Sequence, residues 1–233
     1  MMNLAIMQPY FFPYIGYFQL MASVDTFVVY DNIKYTKKGW INRNRIQNRG
    51  VENLISLSLK NDSDYLDIGA RELSPSFDRT KLCNQIVGAY QRAPYFREVM
   101  PVLDKIIMND SSNLFDYLYQ SLFVLRDFLG LRSELLVSST IPADHSLKSQ
   151  ERVLEICRVL NATCYINPPG GVSLYSPQDF ANNGVVLKFI QPKPWQYSHS
   201  EADFIPWLSI IDVMMFNSRD EVVQRLKTGY ELN

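Results

Sequence analysis

The first thirty residues constrain the fold more than any other stretch. Residues 3–7 (NLAIM) form a short apolar run that reads as a buried strand, and Gln8 to Pro13 is an aromatic turn punctuated by prolines. Residues 15–23 read as a helix, and TFVVY at 26–30 reads as a second buried strand. A helix between two such strands returns the chain to the same end of the sheet, so the strands run parallel and the crossover is right-handed. Asp31 then falls at the carboxyl end of the second strand, where open α/β sheets place their ligands.

The pattern resumes in the second half. LRSELLVSS (131–139) reads as a strand, followed by a polar loop, a helix over 149–160, a strand at 163–166 and the tight turn NPPGG at 167–171. Ser176-Pro177 opens a helix that ends at Gly184, and VVLKFI (185–190) is a further strand. Late helices cover roughly 203–216 and 218–227, with Asp203 and Ser218 as N-caps. Between the halves, ENLISLSL (52–59) alternates like a half-buried strand, and LDIGARELS (66–74) is its expected partner. Ser74-Pro75 opens a helix running to about Arg92, Pro94 restarts another to about Met108, and Asn113 caps a third that ends at Gly130. The expectation is a single α/β domain over 1–233: an open, mostly parallel sheet flanked by helices, nucleotide-binding-like, with a β excursion at about 41–74 and a helical insert at about 75–130.

Composition narrows the function classes. With 47% apolar residues the chain is not disordered. With 23 basic and 24 acidic side chains it is not globally basic, so a nucleic-acid contact would need a local patch. Three cysteines without a CxxC pair fit a reducing, cytoplasmic compartment, and Cys83, Cys157 and Cys164 read as core residues. The apolar start has no basic n-region and breaks at Pro9 and Pro13, unlike a signal peptide. No run of about 18 apolar residues predicts a membrane span. No metal-ligand spacing, Walker loop or GxGxxG occurs.

Three segments carry candidate chemistry. The first is the turn from Gln8 to Tyr17, with Tyr10, Tyr14 and Tyr17 facing a ligand and Gly16 allowing close backbone approach. It loosely echoes the His-x-Gly-His turn of nucleotide-activating enzymes, with tyrosines in place of the histidines. A hydrophobic packing turn is the alternative. The second is the stretch 32–51, which holds Lys34, Lys37, Lys38, Arg43, Arg45 and Arg49 and no acid. Lys38, Trp40, Asn42, Arg43 and Arg45 suit a polyanion with a stacked ring, such as a nucleotide diphosphate, a nucleotide-sugar or an RNA end. A solvated basic loop is the alternative. The third joins Gln150 and Glu151, at the start of a helix, to Asn167, Gly170 and Gly171 in the turn after a strand. Adjacent strand ends would bring these to one crevice, although a dipole-favouring acid and a plain tight turn explain them equally. His145 lies beside Asp144, as a base oriented by a carboxylate would; a surface histidine is the plainer reading, and His199 is the weaker of the two histidines. Asp212 is an acid among apolar neighbours and needs a buried partner, either a residue of the basic stretch or a backbone donor.

The same blocks carry a resemblance. MQPYFFPYIGYFQL (7–20), KGWINRNRI (38–46), APYF (93–96), SQERVLEIC (149–157), YINPPGG (165–171) and FIPWLSIIDVMMFN (204–217) together resemble the WbqC-like family, in the same order over about 1–217. The resemblance implies bacterial O-antigen and lipopolysaccharide biosynthesis, with glycine transfer to a sugar amine suggested for the family. The function expected is a transferase that attaches an aminoacyl or small acyl group to a nucleotide-linked amino sugar. Asp31, Glu151 and His145 are the candidate bases, in falling order, and Lys38, Arg43 and Arg45 the phosphate ligands. No cofactor is fixed by the residues. An aminoacyl donor, aminoacyl-tRNA included, would serve this reading. A second reading, an ATP-dependent activating enzyme or nucleotidyltransferase, would use ATP and Mg²⁺. A third is a non-catalytic nucleotide-sugar or RNA-binding module.

Overall fold

A computed structural model describes residues 2–199 and 204–233. The opening unit folds as its pattern dictates: strand β1 (Asn3–Met7), helix α1 (Ile15–Ala22) and strand β2 (Thr26–Val29), with β1 and β2 parallel. A hairpin follows, β3 (Arg43–Asn48) and β4 (Val51–Ser56), then α2 (Arg79–Tyr90), α3 (Phe96–Ile107) and α4 (Leu114–Phe128). The alternating half comprises β5 (Glu134–Val137), α5 (Ser149–Val159), β6 (Cys164–Asn167), α6 (Pro177–Asn182) and β7 (Val186–Pro192). Helices α7 (Ile210–Phe216) and α8 (Arg219–Thr228) and strand β8 (Tyr230–Leu232) close the chain.

The main sheet has the order β5-β2-β1-β6-β7-β8, parallel except for β8, which pairs antiparallel with β7. The chain winds outward from β1 through β2 to β5, then returns to the other side of β1 through β6 and β7. The direction of winding therefore reverses between β1 and β6, which is where open α/β sheets leave a crevice at their carboxyl edge. Side chains alternate across the sheet. Ala5, Phe27 and Val29 join the larger core with α1–α4, α7 and α8, while Leu4, Ile6 and Val28 join a second core with α5 and α6. Among the described residues, no helix is long and apolar enough to cross a membrane.

Several expected boundaries are corrected. The partner of β4 is β3, inside the basic stretch, and not 66–74, which forms a short 3-10 turn at Ile68–Ala70 and isolated bridges from Asp67 to Lys34, Glu72 to Asn113 and Leu73 to Leu59. About a third of the basic stretch is therefore strand. Helix α2 is opened by Asp78, whose carboxylate accepts from Lys81 N at 2.8 Å, and not by Ser74-Pro75. Helix α7 starts at Ile210 with Ser209 as its cap; the expected cap at Asp203 lies outside the described residues. Strand β8 went unforeseen, its three residues being too short to carry a pattern.

Candidate functional site

The reversal point between β1 and β6 is hollow. A cavity of about 280 Å³ is lined there by Met7, Gln8 and Tyr10 after β1, Tyr30 after β2, and Asn167, Gly170, Gly171 and Tyr175 after β6. Tyr165 donates to Asn167 Oδ1 at 3.1 Å, and Asn167 Nδ2 donates to the Pro168 carbonyl at 3.2 Å. Gly171 leaves room for that amide, because a Cβ there would lie 1.8 Å from Asn167 Nδ2. Burial pushes the Tyr30 phenol up to about 12, although the Arg152 guanidinium, 5.2 Å from its ring, pulls the other way. Tyr30 is thus a hydrogen-bond donor at neutral pH.

Across Tyr10 and the Pro168–Gly170 turn this hollow adjoins a second of about 400 Å³, lined by Tyr10, Tyr14, Trp40, Asn44, Arg45, Gln191 and Trp207. Its walls are the aromatic bend, the basic stretch and the approach to α7, and hydrogen bonds fasten them together. Phe11 N donates to the Trp40 and Ile41 carbonyls at 3.2 and 3.1 Å. The buried Asn44 amide donates to the Phe11 and Phe12 carbonyls at 3.1 and 2.8 Å. Ser209 Oγ donates to the Phe12 carbonyl at 2.8 Å, and Ile210 N to that of Pro13 at 2.8 Å. The Tyr14 ring meets Trp207 edge-on at 6.0 Å and folds back over Gly16, where a Cβ would come 2.4 Å from it.

Trp40 and Trp207 are 41% and 45% exposed, unusual for tryptophan unless a face is offered to a ligand. Arg45 sits between them: its guanidinium lies 5.4 Å from the Trp40 ring and donates to the Trp207 carbonyl at 3.2 Å and to Glu52 at 2.8 Å. Burial holds the Tyr10 and Tyr14 phenols above their ordinary value, and for Tyr10 the neighbouring Tyr14 adds to this. Flat apolar faces, two neutral hydroxyls and one cation suit a ring bearing hydroxyls or a phosphate.

The expected site residues divide into three groups. Tyr10, Tyr14, Trp40 and Arg45 meet in the aromatic cleft, and Gln8, Tyr10, Asn167, Gly170 and Gly171 in the hollow beside it. A second group ties the chain together. Tyr17, 2% exposed, donates to the Gln8 carbonyl at 3.0 Å. Asn42 accepts from Tyr35 at 2.8 Å and donates to Leu57 O at 2.9 Å. Arg43 closes onto the Gly39 and Lys38 carbonyls at 3.1 and 2.7 Å. Gln150 bridges to Ser176 N at 2.6 Å and Asp179 at 2.8 Å. Lys38 is exposed on the same loop, and Lys37 is paired with Asp64 at 2.6 Å, so among the cations of the stretch only Arg45 lines the cleft.

The third group holds the candidate bases, none of which lines either hollow. Asp31 Oδ1 accepts from Ser139 N at 2.9 Å and caps the turn after β5. His145 is oriented differently from expectation. Asp144 turns to Ser146 N and Oγ at 2.9 and 2.6 Å, and the imidazole instead places Nε2 against the Ile141 carbonyl at 2.9 Å and Nδ1 against Asn32 and Arg152 at 3.2 and 3.3 Å. Glu151 is exposed in the first turn of α5.

Asp212, wholly buried, does not use the basic stretch either. Its oxygens accept from the hydroxyls of Tyr90 and Tyr197, each at 2.7 Å, and His199 Nε2 lies 3.0 Å away. Burial and that carboxylate hold both phenols well above their usual range. The sequence reading missed Trp207, Tyr30, Tyr90 and Tyr197. The signal available for Trp207 was an aromatic residue in a proline-led segment beside Ser209 and Asp212.

Fold and site together define an α/β protein with a switch-point crevice opening into an aromatic, arginine-bearing cleft. The chain belongs to the WbqC-like protein family, whose model matches residues 8–224. It is also similar, at 26% identity over 232 residues, to the uncharacterized protein Rv1507c of Mycobacterium tuberculosis (strain ATCC 25618 / H37Rv), with 97% of this chain and 98% of that protein covered. No solved structure matches it.

Proposed function

We propose that the protein is a cytoplasmic transferase of surface-polysaccharide biosynthesis that attaches a glycyl, other aminoacyl or small acyl group to the amine of a nucleotide-linked amino sugar. One observation carries the reading: the cleft of Tyr10, Tyr14, Trp40, Trp207 and Arg45 at the carboxyl edge of the sheet. The tryptophan faces stack on the sugar or base, the tyrosine hydroxyls bond to ring hydroxyls, and Arg45 meets a phosphate oxygen. The adjoining hollow at the reversal point receives the other end of the molecule. In the transfer step the amine nitrogen attacks the acyl carbon, the bond from that carbon to its carrier breaks with the electron pair leaving on the carrier, and the amine's proton passes to the departing carrier atom. An aminoacyl-tRNA or another activated acyl donor supplies the acyl group.

A second reading, a non-catalytic nucleotide-sugar-binding module, is favoured by the positions of Asp31, Glu151 and His145, which line neither hollow. Two measurements decide. Calorimetry with dTDP- and UDP-amino sugars should show binding that Trp40→Ala with Trp207→Ala weakens by about tenfold or more, since base–aromatic stacking is worth roughly 1–3 kcal/mol per ring. Unchanged affinity rejects the cleft as the site. Mass spectrometry of the same sugars incubated with an aminoacyl donor should then show an acylated product. Tight binding with no product selects the module.

A further inference from the structure

A separate hollow lies at the far end of β3. Arg45 serves the aromatic cleft, whereas Asn48 and Arg49, further along the same strand and its turn, line a cavity of about 390 Å³ together with Gln91, Arg92, His199 and Phe216. Two features distinguish it. Among the described residues its wall carries two arginines and no carboxylate, and neither guanidinium forms an ion pair or hydrogen bond with a described residue. Arg43, Arg45, Arg71, Arg79, Arg126, Arg152 and Arg225, by contrast, each donate to a carbonyl or a carboxylate.

The backbone also holds Arg49 in an unfavourable place. Arg49 and Gly50 form the two-residue turn between β3 and β4 with φ of 51° and 78°. Such turns prefer Asn or Asp followed by Gly, and an arginine at the first position costs conformational energy that the rest of the hairpin offsets. The imidazole of His199 is fixed as well. It is stacked on Tyr197 with ring centroids 5.3 Å apart, packs on Phe216 at 4.2 Å, and holds Nε2 3.0 Å from the buried Asp212. The two ring contacts fix the imidazole's orientation, and its buried Nε2 has no hydrogen-bond partner among the described residues.

We propose that this hollow is a second ligand site, for a small molecule carrying a carboxylate or a phosphate. Arg49 and Arg92 clasp the oxyanion, and the imidazole of His199, packed on Tyr197 and Phe216, hydrogen-bonds to a group beside it. The site is independent of the aromatic cleft and of the function assigned to it.

The chain has only two histidines, so imidazole NMR signals are few, and the one lost in His199→Gln is that of His199. The full chain is titrated at fixed pH with sodium phosphate and with sodium acetate, against sodium chloride at matched ionic strength. The His199 signal should move saturably with at least one of the two oxyanions and not with chloride; phosphate alone selects a phosphoryl ligand and acetate alone a carboxylate. Arg49→Asn with Arg92→Gln should weaken the response by about tenfold or more, as loss of charge-assisted hydrogen bonds does. Both arginines are exposed, and Asn tolerates the left-handed turn, so this variant keeps the fold. Absence of saturation with either oxyanion overturns the proposal, as does an unchanged affinity in the arginine variant. Trp40→Ala with Trp207→Ala should leave the His199 response intact; if the response disappears there, it arises in the cleft and the second site is rejected.

Discussion

A methyl group added at Gly171 would lie 1.8 Å from Asn167 Nδ2 and 3.1 Å from the Tyr175 ring, whereas one added at Gly170 meets nothing within 4 Å. The two glycines therefore differ in kind. Gly171→Ala must push the half-pinned Asn167 amide off its partners, at a cost of about 1–3 kcal/mol, and should narrow the hollow at the reversal point. Gly170→Ala should stay within about 0.5 kcal/mol of the parent. Urea unfolding of both variants checks the contrast, and equal stabilities would contradict it. Asp212 presents the opposite situation, a position where a polar group cannot be removed. Asp212→Ala strips the acceptor from the buried Tyr90 phenol and the half-buried Tyr197 phenol and opens a void, and should cost about 3–5 kcal/mol by the same measurement. The sequence shows the oddity of Asp212 but not its partners, because Tyr90 and Tyr197 arrive from 122 and 15 residues away.

At the scale of elements, what could be read depended on whether the forces were local. Asn113, Ser176 and Ser218 cap their helices as their positions imply, each side chain accepting from the third backbone N–H beyond it. For α8 the cap is reciprocal: Glu221 reaches back to Ser218 N at 2.8 Å. Ser218→Ala should lower stability by about 1 kcal/mol. The Ser218 hydroxyl and backbone N–H hold the Glu221 carboxyl below its ordinary value, so this contribution is present above the usual carboxylate range and fades as pH falls. Denaturation of both chains at neutral and acidic pH should show the gap narrow in acid to what the bond from Glu221 N to Ser218 Oγ contributes; a constant gap would dissociate the Glu221 carboxylate from the cap. The β3–β4 hairpin was illegible for the converse reason. The interior of β3 is Asn44, Ile46 and Gln47, so the strand buries polar side chains and shows no apolar alternation. Asn44 is buried because its amide satisfies the Phe11 and Phe12 carbonyls, a contact across 33 and 32 residues. The meeting of the aromatic bend with the basic stretch could be inferred from both lying at the sheet's ligand edge. Their fastening by a buried asparagine could not.

For the whole molecule, the abundance of tyrosine that hinted at a ring-binding pocket has a second consequence. The chain has 14 tyrosines, and Tyr17, Tyr90, Tyr117 and Tyr165 are all 2% exposed or less. Burial holds these phenols above their ordinary value, well above it for Tyr17, Tyr90 and Tyr165, and the Asp212 carboxylate adds to the effect at Tyr90. Burial likewise pushes the Cys157 thiol up to about 12. In the unfolded chain these phenols ionise near pH 10. A folded-state pKa raised above that value means the unfolded state releases protons first, so stability is fully present below about pH 9 and falls as pH rises beyond 10. Each phenol kept neutral contributes a slope of about 1.4 kcal/mol per pH unit, and the four give roughly 5–6. A domain's whole stability is about 5–15 kcal/mol, so the fold should fail within about one to three pH units above 10. Tyrosinate absorbance followed together with near-ultraviolet circular dichroism should therefore show two phases. An early phase leaves the fold intact, and the buried set then ionises in one cooperative step as tertiary signal is lost. A single smooth titration of all the tyrosines near pH 10, with the dichroism unchanged, would show that the phenols are reached by solvent in the native state and that the packing around Asp212 and β6 is looser than described.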